Sequence, residues 1–236
     1  MESVNTKDAG SGTLLLEARF DGDPGPILPR LRIGAGSPHA ARARDLIAQA
    51  ASIARPRAAW RESPVRREDD ASVVLEETRF PSTLLAENLC DTELAYPFIA
   101  TAGPQAEEWA AGKDDMLERY WADEIAGLVL ESAVVALMAR LSEGREHGAV
   151  SMVNPGSLKE WPIEGQRELF GLLEREARAL GVALGDNFMM RPLKSVSGII
   201  YFSEHAFINC MRCPRQECPK RRAPFQGKDA VSGSCL

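Results

Sequence analysis

Three cysteines fall within nine residues near the C-terminal end, Cys210-Met211-Arg212-Cys213-Pro214-Arg215-Gln216-Glu217-Cys218, a Cys-x2-Cys-x4-Cys pattern in a chain whose other cysteines are Cys90 and Cys235. The x2 spacing lets two sulfurs turn toward one centre, and the flanking cations favour the thiolate form that metals require. Cys210, Cys213 and Cys218 are therefore candidate ligands of zinc or of an iron–sulfur cluster. Cys235 completes the set assigned here, with Cys90 and His205 as other choices for a fourth ligand. Two readings compete: a disulfide, which a reducing compartment disfavours, and a redox thiol pair, which lacks a thioredoxin-like context. The pattern is not the Cys-x3-Cys-x2-Cys of radical chemistry on S-adenosylmethionine. Arg212, Arg215, Lys220, Arg221 and Arg222 add a local positive patch. It suits an anionic ligand or an acidic protein partner, or is simply a solvated tail.

A second constellation runs from Asn154-Pro155-Gly156-Ser157 through Trp161-Pro162 to Gln166, and about thirty residues later from Asn187 through Met189-Met190 to Lys194-Ser195-Val196-Ser197-Gly198. Asn-Pro-Gly-Ser is a tight turn expected to present backbone N–H groups, and Ser195 and Ser197 share one face of a strand. Either could line a pocket. Turn chemistry and periodicity alone favour a structural turn with core methionines. His39, His147 and His205 form no nucleophile–base arrangement, so hydrolytic catalysis is not indicated.

The elements that would position these residues are legible in outline. Thr13 to Phe20 reads as a strand ended by the turn-forming Asp21 to Pro26. Ser37-Pro38 opens a helix of four to five turns stopped by Pro56. Residues 61–71 read as a charged connector, followed by a strand at 72–75, a small helix at 83–89 and a buried strand at 96–101. Pro104 opens another short helix. From Asp114, Leu117, Trp121, Ile125, Leu128, Val135 and Leu141 recur at helical spacing, predicting the central and most buried helix. A second amphipathic helix should run from Pro162 to Gly181, and 196–202 closes the regular part as a strand. Strands and helices do not alternate cleanly, so the expected class is α+β, an antiparallel or mixed sheet packed with helices. Residues 1–12 are expected to be a mobile N-terminus, 13–209 the α+β domain, and 210–236 a cysteine-rich metal- or cluster-binding tail.

With 236 residues, 44% of them hydrophobic, the chain has enough apolar material for a sizeable core. The net charge of -6 argues against a nucleic-acid partner. Glu131 and Arg140 interrupt the longest apolar region short of the roughly 20 residues a membrane span needs, and no secretory signal opens the chain. A soluble protein in the reducing cytoplasm is the expectation.

Taken together, these segments resemble the activation, or reactivation, domain of cobalamin-dependent methionine synthase, especially its short stand-alone relatives. The matching pieces are Ala95 to Pro104, the helix with Asp123 and Glu131, the Asn154-Pro155-Gly156 turn with Trp161-Pro162 and Gln166, and Met189-Met190 with Lys194 to Gly198. The cysteine tail is similar to that of the stand-alone members, and the resemblance spans roughly 30–222. It implies a domain that presents S-adenosylmethionine to a corrinoid whose cobalt has fallen to Co(II), remethylating it after one-electron reduction. By the same resemblance Glu131 would balance the sulfonium charge, and Asn154, Pro155, Gly156, Ser195 and Ser197 would line the ligand site. The family has Arg before this turn and Tyr directly after it, where this chain has Met152 and Ser157. The implied partner is a corrinoid-binding protein or methionine synthase, with an electron-donor protein behind it. In one version S-adenosylmethionine supplies the methyl group; in another the cysteine site carries the electron and the methyl-donor role is lost. The reading of a different class is a non-catalytic zinc-binding interaction module.

Overall fold

The computed structural model describes residues 5–8, 13–34, 36–145, 148–215, 217–218, 221–227 and 230. In chain order the elements are β1 (Asn5–Asp8), β2 (Leu14–Glu17), α1 (Pro24–Arg30), α2 (Ala40–Ile53), β3 (Arg57–Trp60), β4 (Ser63–Asp69), β5 (Ser72–Leu75), β6 (Thr78–Pro81) and α3 (Thr83–Asn88). They continue with β7 (Leu94–Thr101), α4 (Pro104–Ala111), α5 (Met116–Ser142), β8 (Ala149–Val153), α6 (Gln166–Leu172), α7 (Glu174–Leu180), β9 (Ala183–Leu184), β10 (Met190–Arg191) and β11 (Ser195–Ser203).

β7 is almost wholly apolar because both its faces are covered, and its side chains alternate between two cores. Ala95 and Ile99 join the core under α3, α6 and α7, together with Phe80, Val153, Trp161, Leu173, Ile199 and Tyr201. Tyr96, Phe98 and Ala100 face α5, where Ala133, Leu137 and Leu141 meet Ile200 and Trp60. A third cluster joins α1, α2 and α4 to the first half of α5. Each fully buried Leu or Ile contributes about 2 kcal/mol.

The named strands pair antiparallel throughout, in the order β1-β2-β3-β7-β4-β5-β6, with β11 pairing both β7 and β8. The α+β class with an antiparallel sheet is therefore as expected. Several elements differ from the sequence reading. Asn5–Asp8 pairs with β2, where no regular element was expected. The segment read as a turn at 21–26 instead opens α1: Asp23 accepts a hydrogen bond from Gly25 N–H, and Pro24 sits where a helix loses no bond. The charged connector is mostly β4, whose exposed Arg66, Arg67 and Glu68 mask its pairing with β5 and β7.

The single helix expected between Pro162 and Gly181 breaks at buried Leu173. α6 there packs on β6 and β11, and α7 on β3 and β7, following the sheet twist. α5 buries one stripe, Trp121, Ile125, Val129, Ala133, Leu137 and Leu141, and leaves Tyr120, Glu131 and Val135 exposed. It is not the most buried element. By length and composition α5 alone among the described helices passes for a membrane span, but its stripe packs on the sheet and on α2 and α4.

Candidate functional site

The Asn154–Ser157 segment leaves the end of β8 as a tight turn. Pro155 occupies the second position, Gly156 the third at φ 79°, and Ser157 N–H bonds back to Asn154 C=O at 3.2 Å. Pro-Gly with a left-handed second central residue specifies a type II turn. The Gly156 N–H donates to Trp161 C=O at 2.8 Å. The expectation that the turn presents its N–H groups is therefore corrected for these two residues: both donors are spent inside the loop.

The Asn154 side chain donates from Nδ2 to Ser197 C=O at 2.8 Å, tying the turn to β11. This contact needs Gly198. A Cβ there would stand 2.5 Å from both Asn154 Nδ2 and Val153 O, and 3.1 Å from Phe98 Cε1. Behind the turn, Trp161 packs edge-on to Phe80 with ring centroids 6.4 Å apart, and its indole lies over Gly165, where a Cβ would come within 2.4 Å of Nε1. The Ser82 hydroxyl donates to Glu160 C=O at 2.9 Å and fixes the loop to the start of α3.

Ser195 and Ser197 are on one side of β11 but are held differently. Ser195 Oγ lies 2.7 Å from Pro192 O and 2.9 Å from Thr101 Oγ1, which itself accepts from Gly103 N–H. Ser197 Oγ, Trp161 Nε1 and Gln166 Oε1 are buried and have no hydrogen-bond partner among the described residues. Thr101 was not singled out in the sequence; its signal is a hydroxyl ending an apolar strand directly before Ala102-Gly103-Pro104. Lys194 reaches Asp123 on α5 at 2.9 Å, joining two of the segments that carry the resemblance.

The structure thus brings Asn154, Pro155 and Gly156 to Ser197 and, along the same strand, Ser195. Glu131 is engaged elsewhere: its carboxylate pairs with Arg30 at the end of α1, 2.7 Å away, with both side chains about half exposed.

Among the described residues, no group of three His, Cys, Asp or Glu side chains converges as metal ligands. Cys210, Cys213 and Cys218 are each half-buried thiols, Cys213 packs against the core under α6 and α7, and Cys235 lies outside the described residues. Cys90, one of the other choices for a fourth ligand, is disulfide-bonded and so is not a free thiol. Arg221 organises the loop, donating to the carbonyls of Cys210 at 2.8 Å, Cys213 at 3.1 Å and Ala223 at 3.1 Å, and also to that of Arg215. The Arg222 N–H donates to Cys210 Sγ at 3.5 Å and, with the Ala223 N–H, holds that thiol below its ordinary range against the opposing effect of burial. The basic patch is correspondingly reduced. Arg212 is buried against Glu87 at 2.6 Å and donates to Ala230 C=O, and Arg221 is spent on carbonyls.

No protein-family model and no curated protein sequence matches the chain. Among solved structures it is similar to the crystal structure of the MetH reactivation domain bound to AdoHcy. The TM-score is 0.63 at 16% identity, over 82% of this chain and 78% of that one. The fold is that of the reactivation domain.

Proposed function

We propose that this chain is an activation protein for a corrinoid-dependent methyltransferase or methionine synthase, holding S-adenosylmethionine at the Asn154–Ser157 corner against the corrinoid of a partner protein. The observation that carries the reading is the Asn154 tie to Ser197, which closes the two segments of the resemblance into one corner, on a fold shared with a domain solved with AdoHcy. AdoHcy is what remains of S-adenosylmethionine once its methyl group has left.

Bound there, S-adenosylmethionine would supply an electrophilic methyl group; the chain's own task is to hold it in line with the acceptor. The Pro155-Gly156 turn supplies a rigid wall, because the proline ring fixes φ at Pro155 and the Gly156 and Ser157 N–H groups are already bonded. Glu131 would meet the sulfonium only by exchanging Arg30, and a half-exposed pair of this kind contributes about 1 kcal/mol or less. The exchange is therefore inexpensive. With Met152 and Ser157 in place of the family's Arg and Tyr, the ligand loses a cation for its carboxylate and an aromatic contact, so binding weaker than in the synthase is expected.

No electron-transfer step is assigned to the tail, and the version in which S-adenosylmethionine supplies the methyl group is preferred. The electron would come from a separate donor protein. Calorimetric titration with S-adenosylmethionine tests the ligand half of the reading. The wild-type protein should bind one equivalent, and Asn154→Ala at least about tenfold more weakly, the loss of about 1.4 kcal/mol. No heat at millimolar ligand, or equal affinity in the variant, would contradict it.

A further inference from the structure

A concave site lies away from that corner, where α1 ends against α2. Its cavity, about 470 Å³, is lined by Pro24, Leu28, Pro29 and Ile33, with Arg32 and Arg44 among its walls. That volume is within the range of small-molecule sites, which combine apolar walls with a few placed polar groups.

The two arginines differ from their neighbours. Arg30 pairs with Glu131, and Arg42 with Glu118 and Asp115. The guanidinium groups of Arg32 and Arg44 have no hydrogen-bond or ion-pair partner among the described residues. Both side chains are exposed, so an anion arriving there meets two guanidinium groups without first displacing a protein carboxylate.

The backbone at Arg32 is the second observation. α1 ends with Ile33 N–H bonded to Leu28 C=O and Arg32 N–H bonded to Pro29 C=O, both at 3.0 Å. This is a Schellman cap, with the expected apolar contact between Ile33 and Leu28 in one cluster. Its left-handed position, normally glycine, is Arg32 at φ 59°. A long charged side chain thus stands, exposed, at a backbone position uncommon for any residue but glycine. Strain of this kind collects at ligand sites.

We propose that this cavity binds a small organic anion with an apolar body, its charged head held between Arg32 and Arg44 and its body on Leu28 and Ile33. The head is a carboxylate, sulfonate or phosphate, groups that guanidinium forks recognise.

The test uses the full chain and the dye 8-anilinonaphthalene-1-sulfonate, which has such a body and head, followed by its fluorescence. One equivalent should bind to the wild type, and Arg32→Gly and Arg44→Gln should each weaken binding at least about tenfold. Arg178→Gln, on α7, should leave it unchanged. Arg32→Gly should melt at or above the wild-type temperature, because glycine suits the cap and no contact is lost. Unchanged dye binding in both cavity variants would overturn the proposal. So would a melting temperature several degrees lower for Arg32→Gly, which would make Arg32 a structural residue.

Discussion

Gly198 shows how much of the candidate site depends on one absent side chain, since Val153 O and Asn154 Nδ2 both approach its Cα too closely for a Cβ. Gly198→Ala should cost about 2 kcal/mol of stability, the usual cost of overpacking, and should release Asn154 from Ser197. Urea unfolding together with a ligand titration would read both effects. The two serines of β11 make an opposed pair. Ser195 is bonded on two sides, so Ser195→Ala should cost about 1 kcal/mol. Ser197 Oγ is buried without a partner, so Ser197→Ala in the ligand-free protein should be neutral or stabilising by up to about 1 kcal/mol. Equal losses in the two variants would contradict the assignment. Cys210 makes a pH prediction. Its folded pKa is depressed, chiefly by the Arg222 N–H, so the associated stability is present above the unfolded thiol's pKa and is lost as pH falls through the folded value. Iodoacetamide labelling followed by peptide mapping should give Cys210 a midpoint below that of an ordinary thiol; a midpoint at or above it would contradict the bond.

At the scale of elements, α7 anchors the sheet through a carboxylate rather than through apolar contact alone. Glu176 is fully buried, accepts from Thr13 Oγ1 at 2.9 Å, and is held by Arg61 at 3.1 Å, which also reaches Glu76. Glu176→Ala would leave Arg61 partly buried with only its outer partner, and should cost about 3 kcal/mol in urea unfolding. A loss below 1 kcal/mol would show that Arg61 finds water instead. Nothing in the sequence marked this residue, because a glutamate on an amphipathic helix reads as solvent-facing and its partners lie 115 and 163 positions away. The same limit explains β4, whose charges hid a paired strand. By contrast α5 was legible, because its buried stripe repeats over a 27-residue helix and its start is capped by Asp115, which accepts from Glu118 N–H. So was the Pro155-Gly156 turn, since its geometry is local and set by residue type.

At the scale of the molecule, the antiparallel α+β class followed from the order of segments, whereas strand order did not, because β7 lies between β11 on one edge and β3 followed by β4 along the other, and the β11 contacts are remote in sequence. The cysteine segment was conspicuous in the sequence, yet its described residues are tied into the fold by arginines rather than gathered around a centre. Arg212 buried against Glu87 beside α3, with Met211 and Cys213 on the core, makes this segment part of the domain's packing. Arg212→Ala should therefore lower global stability by about 2 kcal/mol, less than a fully buried pair because Glu87 is partly exposed. Loss of only local protection in the tail would contradict that. Iron, sulfide and zinc analysis after anaerobic purification would identify any group the thiols hold. The central claim is tested most directly by the absorbance of a Co(II) corrinoid protein under a low-potential reductant with S-adenosylmethionine, in the presence and absence of this chain. The account predicts that methyl-cobalt forms faster with the chain than without it, and more slowly with Asn154→Ala. Identical spectra and rates with and without the chain, for both Co(I) and methyl-cobalt formation, would contradict it.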